Sequence, residues 1–300
     1  MRILLTGTSG QVGGALLPLL GETHTVLSPQ RAELDLLQPA TISAVLDRLA
    51  PDLIVNPAAY TAVDRAEDEP ELALRVNAVA PAAMSTWAAK RNIPLIHFST
   101  DYVFDGSGER PWREDDECAP LSSYGRSKLE GERAIQASGV PHLIVRTSWV
   151  YAAQGTNFLR TMARLARERE ELRVVADQFG APTAAPSIAE ATSHIINRRQ
   201  NAEDLVRDFA AADGLVHLAN AGTTTWHGFA TSIVEGLKVR GQAVKAVTIQ
   251  AISTSDFPTK AVRPTNSRLD ASRLRHAFGV SMPGWNQALQ RELDLLIQPG

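Results

Sequence analysis

The chain opens on a short apolar run, Ile3–Leu5, which breaks into a glycine-punctuated turn and then a helix-patterned stretch, Val12–Leu20. The alternation recurs. Thr25–Leu27 reads as a second short strand, Pro39–Leu49 as a helix, and Leu53–Asn56 as a buried strand. Glu69–Arg91 has helical patterning, and Leu95–Ser99 is strand-like. After a loop rich in Gly, Pro and Asp come a helix at Ser123–Ala137 and a strand at His142–Arg146. Short apolar strands separated by helices predict a parallel sheet with helices on both faces.

The second half is less regular. Asn157–Glu170, Ser187–Arg199, Trp226–Arg240 and a segment near Gly284–Ile297 read as helices. Leu172–Val175, Gly214–Ala219 and a run near Val244–Ile249 read as strands, with Pro-containing loops at Ala181–Thr183, Phe257–Thr259 and Arg263–Thr265. The expected fold class is α/β: a doubly wound, Rossmann-like parallel sheet with a smaller, irregular α/β substrate lobe. The dinucleotide-binding domain is expected over residues 1–148, rejoined by segments near 187–220, and the substrate-binding lobe mainly over 149–300.

Composition narrows the classes. Three hundred residues suit one large α/β unit or two domains. Thirty basic residues against 33 acidic ones give a net charge of −3, which argues against a nucleic-acid partner. The single cysteine, Cys118, excludes an intramolecular disulfide and a multi-cysteine metal site. No apolar run approaches the ~20 residues that span a bilayer. The first residues turn to glycine too soon for a secretory signal, so a cytoplasmic protein is expected.

Gly7, Gly10 and Gly13 follow the first strand and, with Gln11 and Val12, open the first helix. Glycines there permit a tight turn and the approach of a diphosphate, which meets unpaired N–H groups at the helix start. An acidic residue ending the second strand would select the ribose of NAD; here that strand ends at Ser28, with Arg31 beyond. A hydroxyl and a guanidinium favour NADPH, with NADH possible.

Tyr124 and Lys128 are four residues apart on a predicted helix and project from one face. Ketone reduction needs a proton donor, and a Tyr hydroxyl serves if a nearby cation lowers its pKa from ~10 against the opposing effect of burial. Thr100, at the end of a neighbouring strand, is positioned to share the substrate oxygen. The bland alternative is a half-buried tyrosine beside a solvated lysine; the glycine loop and the hydroxyl-bearing strand end weigh against it.

These residues resemble the extended short-chain dehydrogenase/reductase superfamily, and within it the dTDP-4-dehydrorhamnose reductase family. The segments that carry the resemblance are Val55–Asp64, Ser99–Gly106, Tyr124–Lys128, Arg146–Tyr151, Asp177–Thr183, Gly222–Trp226 and Arg263–Leu269. The resemblance implies reduction of a dTDP-4-ketosugar at C4, with Tyr124 as proton donor, Lys128 on the nicotinamide ribose and Thr100 on the C4 oxygen. It implies cofactor contacts at Ala58, Ala59 and Tyr60, with Asp35 and Leu36 at the adenine edge. Val63, Tyr102 and Trp149 would shape the sugar pocket, an indole face stacking on the ring. Asn157, Gln178 and Arg263 would reach the nucleotide part of the substrate, and Arg160, Arg263 and Arg268 are candidates for its diphosphate.

Tyr102 stands where related dehydratases carry an acid, which favours simple reduction. Ala15 and Pro186 match places where some relatives hold a divalent cation at a dimer contact, so no metal is expected; the protein is a monomer or a homodimer. A regulatory NADP-binding subunit and a reductase of another nucleotide 4-ketosugar are the competing functions. His97 and His217 read as satisfied core residues, Arg160–Arg173 as a solvated helix face, and Arg113–Glu117 as an exposed loop.

Overall fold

The structure, a computed structural model, describes residues 1–199 and 201–298. In chain order the first part is β1 (Arg2–Leu5), α1 (Gln11–Gly21), β2 (Thr25–Leu27), α2 (Pro39–Leu49), β3 (Leu53–Asn56), α3 (Pro70–Leu74), α4 (Ala80–Ala89), β4 (Leu95–Thr100), α5 (Ser123–Ala137) and β5 (His142–Thr147). Then come β6 (Val150–Tyr151), α6 (Phe158–Glu168), β7 (Glu171–Val175), β8 (Phe179–Gly180), β9 (Thr183–Ala184), α7 (Ala185–Asn197), α8 (Ala202–Ala211) and β10 (Leu215–His217). The chain closes with β11 (Thr224–Thr225), α9 (Trp226–Val239), β12 (Thr248–Ile252), α10 (Ser272–Phe278) and α11 (Trp285–Ile297).

Six strands form one sheet in the order β10-β5-β4-β3-β1-β2, and every pairing in it is parallel. Successive side chains along a strand point to opposite faces, so a strand buried on both sides feeds two cores. Ile3, Leu5, Leu53, Val55, Ile96, Phe98, Leu143 and Val145 enter one core with residues of α1, α7, α8 and α10. Their neighbours Leu4, Ile54, Leu95 and Ile144 enter the other with α2, α4 and Ile135 of α5. The doubly wound sheet expected from the apolar runs is the architecture observed. A separate core unites α6, α9 and α11 with the parallel pair β7–β12.

Three expectations shift. The helical stretch 69–91 is broken: α3 and α4 are joined by one wide π turn, Arg75–Val79. Pro81 has no N–H to give to the carbonyl of Asn77 four residues back, and its ring crowds that carbonyl, so the turn widens there. The strand placed near 244–249 lies at 248–252. Helices α8 and α10 were not foreseen; α8 buries only Leu205 and Phe209, and α10 has seven residues, too few for a periodic signal.

Helix α5 is fixed to the sheet by a buried ion pair. Arg146 of β5 donates to both carboxylate oxygens of Glu132, Nε at 3.0 Å and Nη2 at 2.6 Å, with both residues at most 3% exposed. Two charges taken from water are tolerable only as a pair. Glu132→Gln leaves the guanidinium uncompensated and should lower the unfolding free energy by about 3 kcal/mol or more, read from urea denaturation.

Candidate active site

The glycine loop leaves β1 and meets backbone on two sides. Gly7 has φ +60°, and a β-carbon there would sit 3.0 Å from the Ala58 backbone. A β-carbon on Gly13 would fall 2.3 Å from the Gly7 carbonyl oxygen, so the loop closes only with glycine at this position. Gly10 is the N-cap of α1, without a side-chain cap, and the first turn carries no acid. Its amides are therefore open to an anion, and the loop fits a dinucleotide phosphate. At the end of β2 the expected selector, Arg31, is exposed and lies 3.6 Å from Asp35, whose carboxylate also accepts from the Leu37 amide.

Beside the loop, β4 ends in Thr100 and α5 begins at Ser123. Glu67 anchors that helix start, accepting from the Ser123 amide at 2.7 Å and hydroxyl at 2.9 Å, a carboxylate where the helix dipole favours one. Asn77, in the π turn, binds both the Tyr60 amide and carbonyl and also the Ser127 hydroxyl. The Ala58–Tyr60 loop is thereby tied to the helix that carries Tyr124.

The Tyr124 side chain is 9% exposed and meets the ring of Tyr102 edge-on at 5.6 Å. Burial pushes its phenol well up, with the Thr100 hydroxyl opposing. The depressed phenol pKa foreseen from Lys128 is not found. Desolvation dominates, and the Lys128 Nζ is engaged elsewhere, donating to the Phe98 carbonyl at 2.6 Å and lying 3.1 Å from His97 Nε2. The lysine, 1% exposed, is itself drawn down to about 8 by burial, with Glu132 opposing. A tyrosine that keeps its proton is ready as an acid.

The Thr100 hydroxyl donates its one proton to Asp101 Oδ1 at 3.1 Å and accepts from the Tyr102 amide at 3.2 Å, which leaves one lone pair open. Burial pushes Asp101 up to about 6, against hydrogen bonds from Ser267 and Thr100.

The candidates for the sugar and nucleotide ends are engaged with protein. Arg263 donates to Asp64 at 2.6 Å and to the Tyr102 hydroxyl at 3.0 Å. Trp149, at φ +48°, stacks on Trp226 with 3.7 Å between centroids, and a β-carbon on Gly180 would fall 2.6 Å from its ring. One face of the indole foreseen for a sugar is thus taken by a second indole. Gln178 accepts from Trp226 Nε1 at 3.1 Å and donates to Thr254. Asn157 caps α6 and donates to Gln11 at 2.9 Å. Arg160 donates to the Ala153 carbonyl, and Arg268 to Asn266. Val63 and Tyr102 pack with Tyr60 around Tyr124.

One reading is corrected. The loop 113–117 is not simply exposed: Glu114 is buried and accepts from the His217 amide at 2.9 Å. His97 is the satisfied core residue expected, fully buried with its two ring nitrogens against Lys128 and Asn56. The signal was present as two polar residues, Asn56 and His97, within the apolar runs of β3 and β4; the register pairs them.

Residues 1–297 match the RmlD substrate binding domain family. The chain is 42% identical to dTDP-4-dehydrorhamnose reductase of Escherichia coli K12 over 300 residues, covering 99% of this chain and 98% of that one. It is 44% identical to the protein of the same name from Burkholderia thailandensis over 294 residues, 96% and 97% of the two chains. The chain belongs to the dTDP-4-dehydrorhamnose reductase family. This is a family of oxidoreductases. A crystal structure of a Bacillus anthracis member in complex with NADP superimposes with a TM-score of 0.87 at 32% identity, covering 98% of this chain and 99% of that one. Among the described residues no helix is long and apolar enough to cross a membrane.

The buried Asp101 gives this family member a pH signature. Its folded pKa, about 6, lies above the ordinary 3.8, so its ionisation opposes folding. Stability is unaffected below about pH 4 and is lost as pH rises to about 6. Asp101→Asn should therefore gain on wild type across pH 4–6, by up to about 3 kcal/mol, and hold that margin above, as read from urea midpoints.

Proposed function

We propose that this protein reduces the C4 ketone of dTDP-4-dehydro-L-rhamnose to dTDP-L-rhamnose with NADPH. The observation that carries the reading is the buried, protonated Tyr124 beside Thr100, on the helix turn that also presents Lys128 and next to a glycine loop built for a diphosphate. Naming of the close relatives supports the substrate, and the NADP complex of the Bacillus anthracis protein supports the cofactor.

When bound, the reduced nicotinamide supplies a hydride to the carbonyl carbon. The α1 amides and Gly7–Gly13 hold the diphosphate, and Ser28 and Arg31 face the adenosine ribose, with Asp35 and Leu36 at the adenine edge. Ala58, Ala59 and Tyr60 line the nicotinamide half. Tyr124 gives its proton to the C4 oxygen as negative charge develops there, and Thr100 holds that oxygen by turning its hydroxyl proton from Asp101 toward it. An ammonium has three protons; when Lys128 is charged the Phe98 carbonyl takes one and His97 Nε2, as an acceptor, a second, leaving one for a ribose hydroxyl. That cation favours the phenolate left after proton transfer. Val63, Tyr102 and Trp149 bound the sugar, and Asn157, Gln178 and Arg263 lie toward the nucleotide.

The test is NADPH oxidation monitored with dTDP-4-dehydro-L-rhamnose. Tyr124→Phe should lose about 10²-fold or more in turnover while keeping its affinity for NADPH. Retained turnover would remove Tyr124 as the acid. Absence of NADPH oxidation by folded wild-type protein would instead favour a regulatory role.

Cofactor choice rests on one exposed guanidinium. Arg31→Ala should weaken NADPH about tenfold, the order of one charge-assisted hydrogen bond, and leave NADH unchanged, as measured by the ratio of the two KM values.

A further inference from the structure

Lys128, His97, Asn56 and Thr6 form one buried row beneath the site. Lys128 Nζ lies 3.1 Å from His97 Nε2, His97 Nδ1 lies 3.1 Å from Asn56 Nδ2, and Thr6 Oγ1 donates to Asn56 Oδ1 at 2.6 Å. Thr6 immediately precedes the glycine loop and accepts from the Ala58 amide at 3.3 Å. All four residues are at most 4% exposed. The row runs from the lysine under Tyr124 to the phosphate loop, across β4, β3 and β1.

Donor and acceptor accounting allows two states of this row. A neutral imidazole carries one proton, so one nitrogen donates and the other accepts. With the amide as it stands, Asn56 Nδ2 donates to His97 Nδ1. The ring proton is then on Nε2 and points at Lys128, which must accept it as a neutral amine. A charged Lys128 has no lone pair and needs Nε2 as acceptor. The ring proton then moves to Nδ1, Asn56 must turn its oxygen toward the ring, and its NH₂ group faces Thr6. A half-turn of the amide, whose two ends are nearly the same shape, interconverts the arrangements. They differ by one proton from solvent: Lys128 gains it, and His97 exchanges one nitrogen's proton for the other's.

We propose that His97 is a positioning residue that couples the charge of Lys128 to the Asn56 amide and the Thr6 hydroxyl under the glycine loop. Charging Lys128 releases the Thr6 hydroxyl proton from Asn56, so the lysine that serves the ribose and the floor of the phosphate loop change together. The ring stays neutral throughout, because burial and the adjacent lysine both hold its pKa well down. The groups around Lys128 are consistent with a single titration. Tyr124 and Glu132 share its helix, and Glu132 is paired with Arg146 of β5. From β4 come His97 and, bonded to Thr100, Asp101. Glu67 is spent on the helix start, while Glu71 of α3 and Arg75 of the π turn are exposed. This inference deepens the reductase reading, on which only its kinetic test rests.

The first test uses the whole wild-type chain labelled with ¹⁵N-histidine, the His97 signals identified by their loss in His97→Gln. The expected result is a neutral ring with its proton on Nδ1 at pH 6 that passes to Nε2 as pH rises through about 8, where burial places the titration of Lys128. A ring that keeps one tautomer from pH 6 to 10, or that becomes an imidazolium, overturns the proposal. No substrate is needed, so this measurement decides the row whatever the fate of the reductase assignment. The second test compares His97→Leu with His97→Gln. Leucine offers the ammonium no acceptor, so kcat should fall about tenfold and the alkaline limb of the kcat/KM profile should move to lower pH. Glutamine offers an amide oxygen and should restore both. Equal impairment in the two variants, or an unmoved limb, would reduce His97 to a space-filling role.

Discussion

A buried ammonium has to be answered by polar partners, and in this protein that demand fixes where helix α5 sits. Lys128 is 1% exposed, and an unpartnered cation there would be prohibitively costly. The partners available are the Phe98 carbonyl and the His97 imidazole, both on β4. The helix must therefore press its inner face against that strand. One turn further on, Glu132 meets Arg146 of β5, which sets its rotation, and Asn77 binds Ser127 from the other side. Three independent polar contacts thus aim Tyr124 at the carboxyl edge of the sheet, where the glycine loop also opens.

The same burial decides the chemistry. In water a nearby cation would make a tyrosine more acidic, but here desolvation, opposed by the Thr100 hydroxyl, prevails and the phenol keeps its proton. A protonated phenol is the state that the proposed acid role requires, since a general acid must hold its proton until charge appears on the substrate oxygen. Thr100 adds direction: it is bound by the Tyr102 amide and by Asp101, so its oxygen cannot wander.

The six-stranded sheet was legible because each strand is a short apolar run bounded by a turn, and because alternate side chains fill two separate cores. The glycine loop and the Tyr124–Lys128 pair were legible because they depend on spacing within one element. What escaped depends on register between elements. Asn56 and His97 become neighbours only when β3 and β4 pair, and Glu114 is drawn inside only when its loop crosses β10. The stacking of Trp149 on Trp226 joins residues 77 positions apart and was equally beyond any local pattern. Pro81 did carry a local warning, since its missing N–H leaves Asn77 unpaired in a straight helix.

The segment around Arg263 reaches the candidate site through a chain of contacts that gives this residue a role distinct from the one its type suggests. Its guanidinium sits between Asp64, in the loop after β3, and the hydroxyl of Tyr102, whose ring meets Tyr124 edge-on. The neighbouring Ala261 amide also reaches Asp64, and Lys260 pairs with Asp68. The segment before β-bridged Asn266 is therefore latched by charge to the stretch that follows β3, while Tyr102 transmits that latch to the wall beside Tyr124. Any anion competing for Arg263 would have to displace Asp64 from a 2.6 Å contact, so the guanidinium is committed first to holding these segments together.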